Sequence, residues 1–234
     1  MKAVWYEQIG AADDVLTHGN IDDPEVSDGE ALVRIRTSGV NPSDVKTRAG
    51  ARGELQFPRI IPHSDGAGNI EAVGNGVDKN RIGERVWLWN GAFGRAFGTC
   101  AEYISLPANQ AVEMPENSTF EAGACMGIPA STAYHGVFSG GSVKNKTLLV
   151  TGGAGAVGHY AIQLAKWDGA QVVATVSGPE KGLAAKEAGA DLVVNYKTDD
   201  VVEAVNDFTS GKGVDRIVEV EFGGNLSISE QIIK

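Results

Sequence analysis

The rhythm of apolar and polar residues changes part-way along the chain. Over residues 1–125 the apolar residues come in short runs, at 31–36, 68–73 and 85–89, each closed off by Gly, Pro, Asn or Asp. Short β-branched and aromatic runs punctuated by turn formers predict strands, so this half reads as a mostly β domain. From 126 to 234 the apolar runs alternate with longer Ala-rich stretches. The runs at 147–151, 171–176, 191–194 and 215–220 predict strands, and the stretches at about 157–168, 179–188 and 199–210 predict helices. Alternation of strand and helix is the mark of βαβ units, so the second half is expected to be a doubly wound parallel sheet. A dinucleotide fold has six strands, and too few residues follow Val220 to build two more. The α/β sheet is therefore expected to be incomplete on its C-terminal side.

One segment of the second half carries chemistry. Gly153-x-Gly155-x-x-Gly158 follows the strand at 147–151 directly and opens the helix after it. Glycine at these places lets the chain turn sharply, lets a pyrophosphate approach the backbone, and lets the helix pack on the strand. The helix N-terminus then offers free N–H groups and positive dipole charge to the phosphates. An NAD site has Asp or Glu about 20 residues further on to hold the ribose 2′-hydroxyl. Here the second strand ends Thr175-Val176-Ser177, with no carboxylate. Ser177, Lys181 and Tyr196 supply the small donors and the cation that a 2′-phosphate wants, which favours NADP(H) over NAD(H). The plain alternatives are a solvated helix lysine and a half-buried aromatic at a strand end.

The bulk composition narrows the partners. Thirty acidic against 20 basic residues give a net charge of −10, which opposes general attraction to nucleic acid or anionic membrane and leaves a small molecule as the expected partner. The N-terminal residues show no secretory signal, and no apolar stretch approaches the roughly 20 residues of a membrane span, so a cytoplasmic protein is expected. The two cysteines, Cys100 and Cys125, form no disulfide framework.

With these residues in view, the chain resembles the medium-chain dehydrogenase/reductase superfamily, and within it the zinc-free, zeta-crystallin-like quinone oxidoreductase branch. The marks are Gly39-Val-Asn-Pro-Ser-Asp44, Pro62-His-Ser-Asp-Gly-Ala-Gly68, Ala101-Glu-Tyr103, Gly127-Ile-Pro-Ala-Ser-Thr-Ala-Tyr134, the loop 153–158, Glu187-Ala-Gly-Ala190 and Asn195-Tyr196. The resemblance implies a GroES-like β catalytic domain at 1–125 and a Rossmann NADP-binding domain at 126–234. It also implies that Ala154, Gly155, Ala156 and Val157 contact pyrophosphate, that Ser177, Lys181 and Tyr196 hold the adenosine 2′-phosphate, that Asn225 contacts the cofactor, and that Thr132 sits near the nicotinamide. Full-length members are expected to be homodimers or homotetramers.

Alcohol dehydrogenases of this superfamily hold zinc through a Cys and a His in the first domain. Asn41 and Ser64 stand at those positions, and neither is a good zinc ligand. The four histidines, at 18, 63, 135 and 159, show no ligand spacing, and His63 beside Asp65 reads as a turn histidine. Without a metal to polarise an alcohol, the favoured reaction is hydride transfer from NADPH to an electron-poor acceptor such as a quinone or an enone. Asn41 is the candidate donor to the developing oxyanion, or else a turn former before Pro42. Several members carry Thr-Tyr shortly after the Asn-Pro motif, where this chain has Val45-Lys46. Lys46 is thus either a donor to the substrate or a surface lysine. The functional readings are an NADPH:quinone reductase, an NADPH-dependent alkenal or enone reductase, and a non-catalytic NADPH-binding protein.

Overall fold

A computed structural model describes residues 1–234, which form two compact units, Met1–Ile128 and Pro129–Lys234. In chain order the first unit contains β1 (Lys2–Trp5), α1 (Ala12–Val15), β2 (Thr17–Asn20), β3 (Glu30–Gly39), α2 (Pro42–Arg48), β4 (Asp65–Val73), β5 (Arg85–Leu88), β6 (Tyr103–Pro107), β7 (Ala111–Glu113) and α3 (Phe120–Gly123). The strands β6-β3-β4-β5-β7 form one antiparallel sheet, and β1 pairs with β2. Its inner face is made by alternate residues such as Ala31, Val33, Ile70, Val86, Leu88, Ile104 and Leu106, all essentially without exposed surface. The three sequence runs of this half become β3, β4 and β5. The first grows to ten residues because register shifts between Leu32 and Val33 and between Ile35 and Thr37 let the strand bend and stay paired.

The second unit contains α4 (Ser131–Phe138), β8 (Thr147–Val150), α5 (Ala156–Trp167), β9 (Gln171–Val176), α6 (Pro179–Glu187), β10 (Leu192–Asn195), α7 (Val201–Thr209), β11 (Arg216–Val218) and α8 (Phe222–Ile232). A π-helical turn, Met126–Ala130, precedes α4. The sheet is wholly parallel with the order β10-β9-β8-β11, the 3-2-1-4 order of the first four strands of a doubly wound sheet. Successive residues serve opposite faces. Leu148 and Val150 join Val172, Ala174 and Ile162 in one core, and Leu149 joins Val173, Val194, Val205 and Ile232 in another. That two-sided burial is why these strands read as unbroken apolar runs. Helix α8 follows β11 in a stretch to which the sequence pattern assigned no element, because Gly223, Gly224 and two serines hide its periodicity while Ile228 and Ile232 pack into the second core.

Candidate active site

The glycine loop lies between β8 and α5, at the C-terminal edge of the parallel sheet. Gly155 caps α5 without any side-chain hydrogen bond, so the amides of Ala156, Val157 and Gly158 at the start of this 12-residue helix have no capping side chain. Gly158 is required by packing. A Cβ there would lie 2.3 Å from the carbonyl oxygen of Gly152 and 2.9 Å from the Cα of Gly153, and both are backbone atoms that cannot swing aside. The loop is braced from β9, where the Thr175 hydroxyl accepts from Gly152 N–H at 3.3 Å and the Thr175 carbonyl accepts from Gly153 N–H at 2.9 Å.

Ser177 and Lys181 come together just past β9. The Lys181 ammonium donates to the Ser177 hydroxyl oxygen at 2.9 Å, and Lys181 is solvent-exposed. Tyr196 follows β10, and its N–H donates to the Val176 carbonyl at 3.1 Å, which sets it beside the same strand end. Tyr196 is 52% exposed and, with Thr151, Gly152, Val220 and Asn225, lines a pocket of about 280 Å³. Asn225 lies in α8, with its amide donating to Glu219 Oε1 at 3.1 Å. That same oxygen accepts from the Thr151 hydroxyl at 2.7 Å and from Glu221 N–H at 2.7 Å, whereas Glu219 Oε2 is buried without a partner. Glu219 is a site residue that sequence reasoning missed. Its signal would have been a carboxylate at the end of a strand on the loop side of the sheet.

In the first unit, Asn41 caps α2. Its backbone N–H donates to the Asp44 carboxylate at 2.8 Å, and Pro42 occupies the first helical turn, where no N–H is needed. The Asn41 side chain is buried, and its amide donates to Asp65 Oδ2 at 2.8 Å. Asp65, at the start of β4, has no exposed surface and also accepts the Ile128 N–H on both oxygens, at 2.9 and 3.0 Å. Gly127 makes this possible, since a Cβ there would sit 2.1 Å from Asp65 Oδ1. Burial pushes the Asp65 carboxyl above the usual range, against the lowering effect of the hydrogen bonds from Ile128 and Asn41. Asp44 is likewise raised by burial.

Close by, a cavity of about 650 Å³ is lined by Tyr6, Asp44, Phe57, His63, Phe93 and Arg95 among others. His63 holds a φ of 80°, a left-handed conformation rare outside glycine. Its Nδ1 lies 2.9 Å from Ser38 Oγ, and Ser38 Oγ lies 2.8 Å from Thr99 Oγ1. Burial holds its imidazole below the usual histidine range. Neither Asn41 nor Lys46 lines this cavity; Lys46 is exposed on α2, and Thr132 is exposed on α4 of the second unit.

The donors present do not suit zinc. Asn41 is committed to Asp65, Ser64 is a hydroxyl, Cys100 and Cys125 are both free, and no group of three or more His, Cys, Asp or Glu side chains is gathered. No helix is long and apolar enough to cross a membrane.

Comparison with known proteins follows the same division. The alcohol dehydrogenase GroES-like domain family matches residues 27–116, and the zinc-binding dehydrogenase family matches residues 156–227. The quinone oxidoreductase of Homo sapiens is 30% identical over 228 residues, covering 97% of this chain and 68% of its own length. The chain belongs to the quinone oxidoreductase branch of the medium-chain dehydrogenase/reductase superfamily. It is an oxidoreductase of that branch, and the mixed α/β architecture with a GroES-like unit and a Rossmann-type parallel sheet is the family's. The crystal structure of Escherichia coli quinone oxidoreductase complexed with NADPH superimposes with a TM-score of 0.85 at 26% identity, covering all of this chain and 70% of that one. The 2-methylene-furan-3-one reductase of Solanum lycopersicum is 30% identical over 239 residues, covering 97% of this chain and 62% of its own length. The name of the second matching family notwithstanding, this member of the branch offers no zinc ligand at position 41 or 64.

Proposed function

We propose that this quinone oxidoreductase family member is an NADPH-dependent reductase that transfers hydride to a quinone. The observation that carries the reading is the uncapped glycine loop opening α5, together with the Ser177–Lys181 pair at the end of β9 where an NAD-specific carboxylate would stand. The E. coli relative's complex with NADPH supports it.

The amides of Ala156, Val157 and Gly158, with the backbone of Gly153, Ala154 and Gly155, would hold the pyrophosphate, where the α5 dipole adds to the attraction. Ser177 and Lys181 would hold the 2′-phosphate, a hydroxyl and an ammonium already in contact and open to solvent. Tyr196 and Asn225 wall the adjoining pocket. Glu219 braces this wall through Oε1, which accepts from Thr151, Glu221 and Asn225, while its Oε2 is buried without a donor. When bound, the nicotinamide supplies the hydride.

Asn41 would serve as an oxyanion donor only through its second amide hydrogen, because Asp65 takes the first. Lys46 on α2 and Thr132 on α4 are each exposed, and neither lines the cavity of the first unit. The tomato relative, named as a reductase of an exocyclic enone, favours a second reading in which an α,β-unsaturated carbonyl is the acceptor.

The test is NADPH oxidation by the purified protein with a panel of quinones and enones. Turnover with quinones is expected. Turnover confined to enones would replace the first reading with the second, and tight NADPH binding without any turnover would overturn both in favour of a binding protein.

A further inference from the structure

The polar chain behind His63 fixes which of its ring nitrogens carries the proton. The Thr99 hydroxyl lies 2.6 Å from the carbonyl oxygen of Asp65, which can only accept, so Thr99 donates there. Its oxygen, 2.8 Å from Ser38 Oγ, must then accept the Ser38 proton. Ser38 has no second proton to give, so its contact with His63 at 2.9 Å requires Nδ1–H as the donor. Thr99 is fully buried, which keeps water from rescuing the opposite polarity.

The consequence lies on the other side of the ring. A neutral imidazole with its proton on Nδ1 has a bare lone pair on Nε2, and the contact with Ser38 engages Nδ1 alone. Burial favours the neutral form. The ring lines the 650 Å³ cavity, a volume in the range of small-molecule sites, with Tyr6, Phe57 and Phe93 as apolar walls. A left-handed φ at a histidine is a local cost that the fold sustains while glycine would carry it freely, and such outliers gather at ligand sites.

Resting on the reductase reading above, we infer that the cavity of the first unit takes acceptors that carry a hydroxyl group beside the reducible system, and that this hydroxyl donates to Nε2 of His63. A carbonyl or ether oxygen at the same place would set lone pair against lone pair. His63 is therefore a specificity-determining residue that selects hydroxylated quinones or hydroxy-enones over their O-methyl counterparts.

The test uses acceptor pairs that differ only in that group: a hydroxymethyl- and a methoxymethyl-1,4-benzoquinone, and a 4-hydroxy- and a 4-methoxy-2-alkenal. Both kcat/KM with NADPH and direct binding by calorimetry without cofactor are measured. The wild type is expected to prefer the hydroxyl member of each pair by about 10-fold, the effect of one buried hydrogen bond against an unmatched acceptor. His63→Gly, which suits the positive φ and so keeps the fold, should bring the ratio to about one. Ser38→Ala removes the acceptor that holds the proton on Nδ1, so a donor Nε2–H becomes available and the preference should shrink or reverse. A wild-type ratio near one in the calorimetric binding, or a preference that survives His63→Gly, overturns the inference. Absence of NADPH turnover with every acceptor counts against the reductase reading alone, because calorimetry decides the hydroxyl preference by itself.

Discussion

Replacing Lys181 with Ala, and separately Ser177 with Asp, should divide the two nicotinamide cofactors. Lys181 is exposed, with its ammonium 2.9 Å from Ser177 Oγ, so a phosphate held by both would lie about 4 Å from the charge in a water-like dielectric. A unit pair at that distance is worth ~1 kcal/mol in water, so a phosphate of about two charges gains ~2 kcal/mol from Lys181. Lys181→Ala should then weaken NADPH about 30-fold and NADH hardly at all, since NADH has no charge there. Ser177→Asp exchanges a donor for a repelling carboxylate. Loss of one hydrogen bond, ~1 kcal/mol, added to ~2 kcal/mol of repulsion gives a loss of about 100-fold for NADPH. The same carboxylate can accept from the free 2′-hydroxyl of NADH, whose affinity should hold or rise. Titration of reduced-cofactor fluorescence at two salt concentrations measures both dissociation constants. The Lys181 effect should shrink at the higher salt, because an exposed pair is screened. Equal losses for NADPH and NADH in either variant would refute the 2′-phosphate assignment.

Three further outcomes follow from particular contacts. Gly158→Ala forces a Cβ against the Gly152 and Gly153 backbone and should cost stability by ~1–3 kcal/mol while weakening NADPH. Gly178→Ala, where an added Cβ meets nothing within 4 Å, should do neither, and thermal melts with cofactor titration compare the two. Asp65→Ala strands the Asn41 amide and the Ile128 N–H in a buried place, so urea denaturation should show a loss of about 3 kcal/mol or more in the first unit. Burial lowers the folded pKa of His63 below its unfolded value of 6.5, although Asp44, Arg52, Glu54 and Arg95 line the same cavity. Its contribution to stability is therefore present above 6.5 and lost as pH falls through the lower folded value, and denaturation midpoints followed downward from neutral pH should fall more steeply in the wild type than in His63→Gly. Parallel profiles would show that the imidazole is not buried in solution.

How much was legible in the sequence differs between the halves for a physical reason. In the second unit the signals are local. Buried parallel strands carry continuous apolar runs, the helices repeat, and the loop's glycines follow from backbone contacts within six residues, so β8 to β11 and α5 to α7 lie within a few residues of their expected bounds. Ser177 and Lys181 are four apart, one in the junction after β9 and the other in the first turn of α6, so their meeting is a local one. In the first unit the decisive contacts join distant positions. Asn41 meets Asp65 across 24 residues and Ile128 meets Asp65 across 63, and no periodicity announces either. The turn before Pro42 was visible, whereas the destination of the Asn41 amide was not. His63 reads in sequence as a turn histidine; only the chain through Ser38 and Thr99, with partners 25 and 61 residues apart, gives it a defined tautomer.

That network also explains why position 41 is not simply an empty metal-ligand position. A carboxylate with no exposed surface must be supplied with donors, and Asp65 receives three contacts from two groups, the Asn41 amide and the Ile128 N–H. Even so, burial outweighs them and leaves its pKa raised, with the nearby Asp44 charge adding in the same direction. A cysteine at 41 would offer a thiolate in place of the amide, adding a negative charge beside a buried carboxylate while removing one of its donors. Replacing Asn41 with a metal-ligating residue would thus leave Asp65 short of a donor unless a cation's own charge made up the loss. The same amide fastens the N-terminus of α2 to the start of β4, and Asp44, one turn along, faces the cavity that His63 lines. The residue that departs from the metal-binding pattern is therefore part of what positions the cavity wall.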